Sequence, residues 1–235
     1  AAAAAAAATA RRRGVARRAG PPQSRRGRRN QQFSSTPEES NAEDDEMVRI
    51  TKQELLRACA KMPANREQRR YSSGTAKQIS DAIAVLAKYN KTKDAFDPVS
   101  STLDGQWVLQ YGSSEILPTG YFGDFEGTVV QELNIGAAKQ ITRSSFFGGF
   151  LVFEWVDNFE KLGNNEVELS KEEWSSKFFG IIPTLFLGVS TNTDKTVWQF
   201  PYVDERLRIC IATRFTSTGR ITDKMVYAKR TRQSL

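Results

Sequence analysis

Apolar positions along the chain change their period once. Between residues 51 and 89 they recur every three to four residues, and from 105 onward every second residue. Thr51-Lys52-Gln53-Glu54 reads as a capping box opening a helix that carries Leu55, Leu56, Ala58 and Cys59 and is limited by Pro63. A second helix is predicted over 75–89, where Ile79, Ala82, Ile83 and Leu86 form one apolar face. From Gly105 the pattern alternates: Trp107, Leu109 and Tyr111 share one face, Val108 and Gln110 the other. Further strands are predicted over 126–135, 139–147, 150–156, 166–171, 196–201, 206–213 and 224–229. They are separated by turn residues at Gly136, Gly148-Gly149, Gly163-Asn164-Asn165, Asn192-Thr193-Asp194 and Ser217-Thr218-Gly219. About eight short strands without helical spacers indicate a mainly β fold, an antiparallel barrel or sandwich.

The first 36 residues follow neither period. They hold nine arginines, no acid and only Val15 and Phe33 as large apolar side chains, so they cannot bury a core. The composition is that of an organelle transit peptide. A basic arm for RNA or anionic lipid, and plain disorder, are the alternatives. The chain does not start with Met, so a missing or trimmed N-terminus is expected. Glu38, Glu39, Glu43, Asp44, Asp45 and Glu46 then reverse the charge. This divides the chain into an arm with an acidic linker (1–46), a helical segment (47–100) and a β domain (101–235).

Charge adds one exclusion. The formal net charge is +7, but outside the arm 25 basic residues face 27 acidic ones. The basicity belongs to the arm, and no nucleic-acid partner is expected for the rest. Histidine is absent, which removes Ser-His-Asp and Cys-His catalysis and histidine metal sites. Two cysteines, Cys59 and Cys210, are too few for a disulfide scaffold or a thiolate zinc site and are read as buried thiols. Glu172-Glu173 and Asp204-Glu205 are adjacent pairs whose side chains diverge on a strand, and no phosphate loop or nucleophile elbow occurs. A non-catalytic role without metal or obligatory cofactor is therefore expected.

Three segments, in order, resemble one family. Ala82 to Asn90 is similar to the helix that precedes its barrel. Leu103-Asp104-Gly105-Gln106-Trp107-Val108-Leu109-Gln110-Tyr111 is similar to its first strand. Tyr202-Val203-Asp204-Glu205-Arg206-Leu207-Arg208-Ile209 resembles its C-terminal signature. The family is the plastid lipid-associated proteins, or fibrillins, and the resemblance covers roughly residues 75–230. It implies a lipocalin-like β-barrel in a chloroplast, peripheral to thylakoid or plastoglobule, that binds or organises apolar lipid, carotenoid or prenylquinone. The family's Arg-Gly turn after the signature is replaced by Cys210-Ile211-Ala212-Thr213, so functions tied to that turn do not transfer. A different class of function is a peripheral subunit or assembly factor of a photosystem or antenna complex, with the barrel as an interaction module.

The resemblance and the alternation nominate residues. Gly105 would turn the chain into the first strand, Trp107 would plug one barrel end, and Arg206 or Arg208 would lie on that ring. Candidate lipid or pigment contacts are Trp107, Leu109, Tyr111, Phe153, Trp155, Trp198, Leu207, Ile209 and Ile211; the same residues also read as ordinary core. The run 178–189 lacks clean alternation. It is predicted as an apolar loop that docks on a membrane or partner through Phe178, Phe179, Ile181, Ile182, Leu185, Phe186 and Leu187, or that folds under as core.

Overall fold

In the computed structural model the described residues are 37–62, 72–99, 101–113, 121–122, 125–178, 182–186, 195–217 and 219–230. The side chains of 37–40, 121–126, 171–174, 178 and 182–186 are outside that description. All of them belong to one unit, Pro37–Leu235. The arm lies outside the described residues.

Helix α1 spans Pro37–Lys61. It begins well before the predicted capping box, so the acidic stretch is helix rather than linker. Pro37 at the start, followed by Glu38 and Glu39, is a helix-opening sequence in its own right, because acids in the first turn face the positive end of the helix dipole. Thr51 is then mid-helix and its hydroxyl donates to the Met47 carbonyl at 2.8 Å. Helix α2 spans Ser73–Lys88, close to the predicted bounds.

The strands are β1 (Gly105–Gly112), β2 (Tyr121–Phe122), β3 (Phe125–Glu126), β4 (Thr128–Asn134), β5 (Lys139–Phe146), β6 (Leu151–Gly163), β7 (Glu166–Phe178), β8 (Ile182–Phe186), β9 (Thr196–Val203), β10 (Leu207–Thr216) and β11 (Gly219–Lys229). Eight close into an antiparallel barrel in the order β6-β5-β4-β1-β11-β10-β9-β7, with β7 pairing back to β6. This selects barrel over sandwich. β7 is twice as long as its alternation suggested. Its first half pairs with β9 and its second with β8, so the apolar run after Phe178 is not a loop throughout but returns as a strand.

Two apolar clusters result. Leu55, Ala58 and Cys59 of α1 and Ile79, Ile83 and Leu86 of α2 cover the outer face of β1, β9, β10 and β11 at Tyr111, Tyr202, Leu207, Ile209 and Val226. The second cluster lies inside the barrel. Ala95, Phe96 and Leu103, from the loop before β1, plug the end at which Trp107, Leu133, Trp198, Phe200, Val203 and Tyr227 meet. Among the described residues no helix covers the outer face of β4–β7, which carries a polar ladder instead. There Arg143 bonds Glu154 at 2.6 Å and Glu132 at 3.0 Å, and Lys177 bonds Glu154 at 3.0 Å.

Candidate functional site: the barrel lumen

Gly105 enters β1 with φ +110°, a conformation that strains any residue bearing a Cβ. The next inward side chain is Trp107, fully buried, whose indole N–H donates to the Leu103 carbonyl at 2.7 Å. This fastens the plug loop to the barrel. Of the two arginine candidates, Arg206 is exposed in the β9–β10 turn, whereas Arg208 is fully buried with its guanidinium carbon 5.0 Å from the Trp107 ring centroid. It also lies 4.3 Å from the Tyr227 centroid and 5.8 Å from that of Phe200.

Arg208 points inward, where its reading as the ring partner of Trp107 places it, because the inner face of β10 is the one that carries it. Leu207 and Ile209 were expected to line the lumen; they face outward and pack under the helices. Arg208, Cys210 and Ala212 take the inner face. Ile211 pairs with Gln199 and Lys224 on the outer register and is likewise removed from the lumen. The alternation was right, and for Leu207 and Ile209 the structure selects ordinary core over lumen lining, because two helices make the outer face of this strand as apolar as the inner one. Tyr111 also leaves the lumen: the register shifts between Leu109 and Tyr111, so Leu109 packs against the inner cluster and Tyr111 against the helices. Trp198 is inside and fully buried.

The β4–β6 wall of the lumen is polar in its middle. Gln131, Gln140, Thr142 and Ser144 are buried there, with Asp157 and Ser176 beside them. Gln140 donates weakly to Asp157 at 3.4 Å. Asp223, on β11, accepts from the Ser113 hydroxyl at 2.5 Å and its N–H at 2.8 Å. Sequence reasoning missed this set. In Lys139–Phe146 neither face reads apolar, so period two gives no inward direction.

Phe153 and Trp155 stand directly opposite Ser144 and Thr142, so they share the inner face. Yet they are partly exposed where Ser144 and Thr142 are buried. Solvent therefore reaches the lumen wall at the end away from the plug. The rim there, at the β5–β6 and β10–β11 turns, exposes Phe147, Phe150, Phe215 and Ile221.

The guanidinium spans the lumen from β10 to β4. Its Nη2 donates to Gln131 Oε1 at 2.5 Å. Nε and Nη1 have no hydrogen-bond partner, and neither do Gln131 Nε2 and Ser144 Oγ nearby or Trp198 Nε1 deeper in. Among the described residues no carboxylate pairs with Arg208. Burial alone pulls its pKa down to about 10, partly opposed by Tyr227 and Cys210, so it stays a cation at neutral pH.

The rest of the signature is structural. Asp204 accepts the N–H groups of Arg206 at 2.7 Å and Leu207 at 2.8 Å, the Tyr202 hydroxyl at 2.8 Å, and a salt bridge from Lys52 of α1. Burial works to raise its pKa, but Lys52, the two amides and Tyr202 outweigh it and hold the carboxyl below its ordinary value. This clamps the turn to the helix layer. A surface hollow of about 300 Å³ lies over the clamp, and a wider one of about 730 Å³ lies beside Asn90, Lys93, Asn164 and Asn165. Neither encloses a fully buried charge, as the lumen does at Arg208, so the lumen is the stronger candidate.

The docking candidates divide. Phe178 closes β7, and Ile182, Leu185 and Phe186 belong to β8, with side chains outside the described residues. Phe179, Ile181 and Leu187 lie outside them altogether. Among the described residues, no helix is long and apolar enough to cross a membrane, and no group of three or more Asp, Glu, Cys or His is placed to hold a metal ion. No protein-family model matches the chain, and no curated protein matches it.

Proposed function

We propose that the chain is a divergent plastid lipid-associated protein whose barrel holds an apolar lipid, carotenoid or prenylquinone at a thylakoid or plastoglobule surface. The observation that carries this reading is the solvent-reached aromatic wall of Phe153 and Trp155 inside a barrel plugged at its other end. An apolar ligand laid on that wall gains about 25 cal/mol for each Å² of apolar surface it removes from water. The rim aromatics Phe147, Phe150 and Phe215 support a lipid surface as the source, because apolar side chains at a mouth insert among acyl chains as the ligand passes. The resemblance of the β1 segment and the Tyr202–Ile209 signature to the fibrillins supports the plastid setting. The role is binding and presentation, with no turnover assigned.

The test is mass spectrometry of an organic extract of the protein purified from its native source. A stoichiometric acyl lipid, carotenoid or quinone is the expected result. An empty barrel that co-purifies with a pigment–protein complex would overturn the reading in favour of a structural subunit.

A further inference from the structure

The lumen holds a cation that the fold does not neutralise. Arg208 is fully buried, is paired to no carboxylate among the described residues, and leaves two of its three guanidinium nitrogens without an acceptor. The rings of Trp107, Tyr227 and Phe200 surround it, and cation–π attraction offsets part of the desolvation. The ring faces offer no lone pair, and although the Tyr227 side chain also interacts with the guanidinium, Nε and Nη1 keep no acceptor. Of the buried acids, Asp223 accepts from Ser113 and Asp157 from Gln140. On the β4–β5 wall the Gln131 Nε2 donor and the Ser144 hydroxyl, which can both donate and accept, also lack partners. A buried charge left in this state is costly unless something supplies the missing acceptors.

We propose that Arg208, Gln131 and Ser144 form a lumen anion site that takes the carboxylate head of a fatty-acid-class lipid. The acyl chain would run past Phe146, Phe153 and Trp155 to the mouth. A carboxylate supplies about four acceptor lone pairs on two oxygens, enough for one bond from each of Arg208 Nε and Nη1, Gln131 Nε2 and Ser144 Oγ, and its single charge cancels that of the guanidinium. The aromatic stretch of Phe146, Phe153 and Trp155 between the polar middle of the wall and the mouth sets the rest of the chemistry: one charged head group and one apolar chain. This inference rests on the lipid-binding reading above and narrows it to an acidic lipid.

The test uses the delipidated full chain and two fluorescent probes, cis-parinaric acid and its methyl ester, which differ only in the charge of the head. The acid is expected to bind at least about tenfold tighter, the gain of a charge-assisted hydrogen bond. Adding the acid should also shift the Arg208 Nε–H resonance in a ¹⁵N spectrum, and the ester should not. Arg208→Met should bind acid and ester alike. Both proteins keep the arginine-rich arm, so lost preference reports the lumen. If Arg208→Met fails to fold, the wild-type spectrum and Gln131→Leu, which should weaken the acid alone, decide. Equal binding of the two probes with an unmoved Arg208 signal would overturn the anion site and leave the lipid reading standing. Binding of neither probe would overturn both.

Discussion

The two apolar clusters are built from opposite faces of the same strands and differ in how their polar atoms are treated. Under the helices, the polar groups at the edge are matched: Asp204 receives Lys52, Tyr202 and two backbone amides. Inside the barrel, Arg208, Gln131, Ser144 and Trp198 each retain a buried donor without an acceptor. A layer that exists to hold the fold together gains nothing from orphaned donors, since each costs about 1–3 kcal/mol. A lumen that receives a ligand can carry them, because the ligand completes them. On the proposed lipid-binding reading, the outer layer serves stability and the inner one also serves binding.

Truncations test that division most strongly. Leu86→Ala, at a fully buried site of the helix layer, is expected to cost about 2–5 kcal/mol in urea unfolding while leaving lipid affinity unchanged in the surviving folded protein. Loss of affinity in step with folded fraction alone agrees with the division; loss beyond it would merge the two regions. Asp204→Asn removes the Lys52 charge pairing and should cost about 1–3 kcal/mol. The folded carboxyl titrates below its unfolded value near 4, so the unfolded chain takes up the proton first as pH falls. The clamp's contribution is therefore full above about pH 4 and disappears as pH drops through the lower folded value. Stability curves of wild type and Asp204→Asn should converge in acid and stay apart at neutral pH.

Smaller effects sharpen the contrast from the lumen side. Ser144→Ala removes a buried hydroxyl that bonds nothing, so it should be neutral or stabilising by up to about 1 kcal/mol while weakening the acid probe. A substitution that stabilises the fold and harms binding is the expected mark of a functional polar group. The thiols give the last comparison. Burial raises Cys59 to about 12 and Cys210 well above the usual thiol value, so both should resist a thiol reagent at pH 8 until the chain unfolds. In sub-denaturing urea Cys59, near the end of α1, should react before Cys210, which is enclosed by the barrel.

Period and spacing in the sequence determined most of the elements. Helical spacing at Ile79, Ile83 and Leu86, alternation from Gly105 onward and the turn residues between runs give two helices and a succession of antiparallel strands, because those signals are local, whereas the full lengths of α1 and β7, strand β8 and the closure of the barrel came only from the structure. The Gly105–Trp107 corner was legible for the same reason: a positive φ and a large ring two residues later are local requirements. What only the tertiary structure decided is direction. Strand β10 is apolar on Leu207 and Ile209 and mixed on Arg208 and Cys210, and a sequence reader puts the apolar face inside. The helices reverse that, since a face covered by α1 and α2 must be apolar even though it is the outside of the barrel. The bulge between Leu109 and Tyr111 reverses the phase again within one strand. Which side of a strand is interior depends on what packs against it from far along the chain, and alternation specifies two faces without saying which one the barrel closes around.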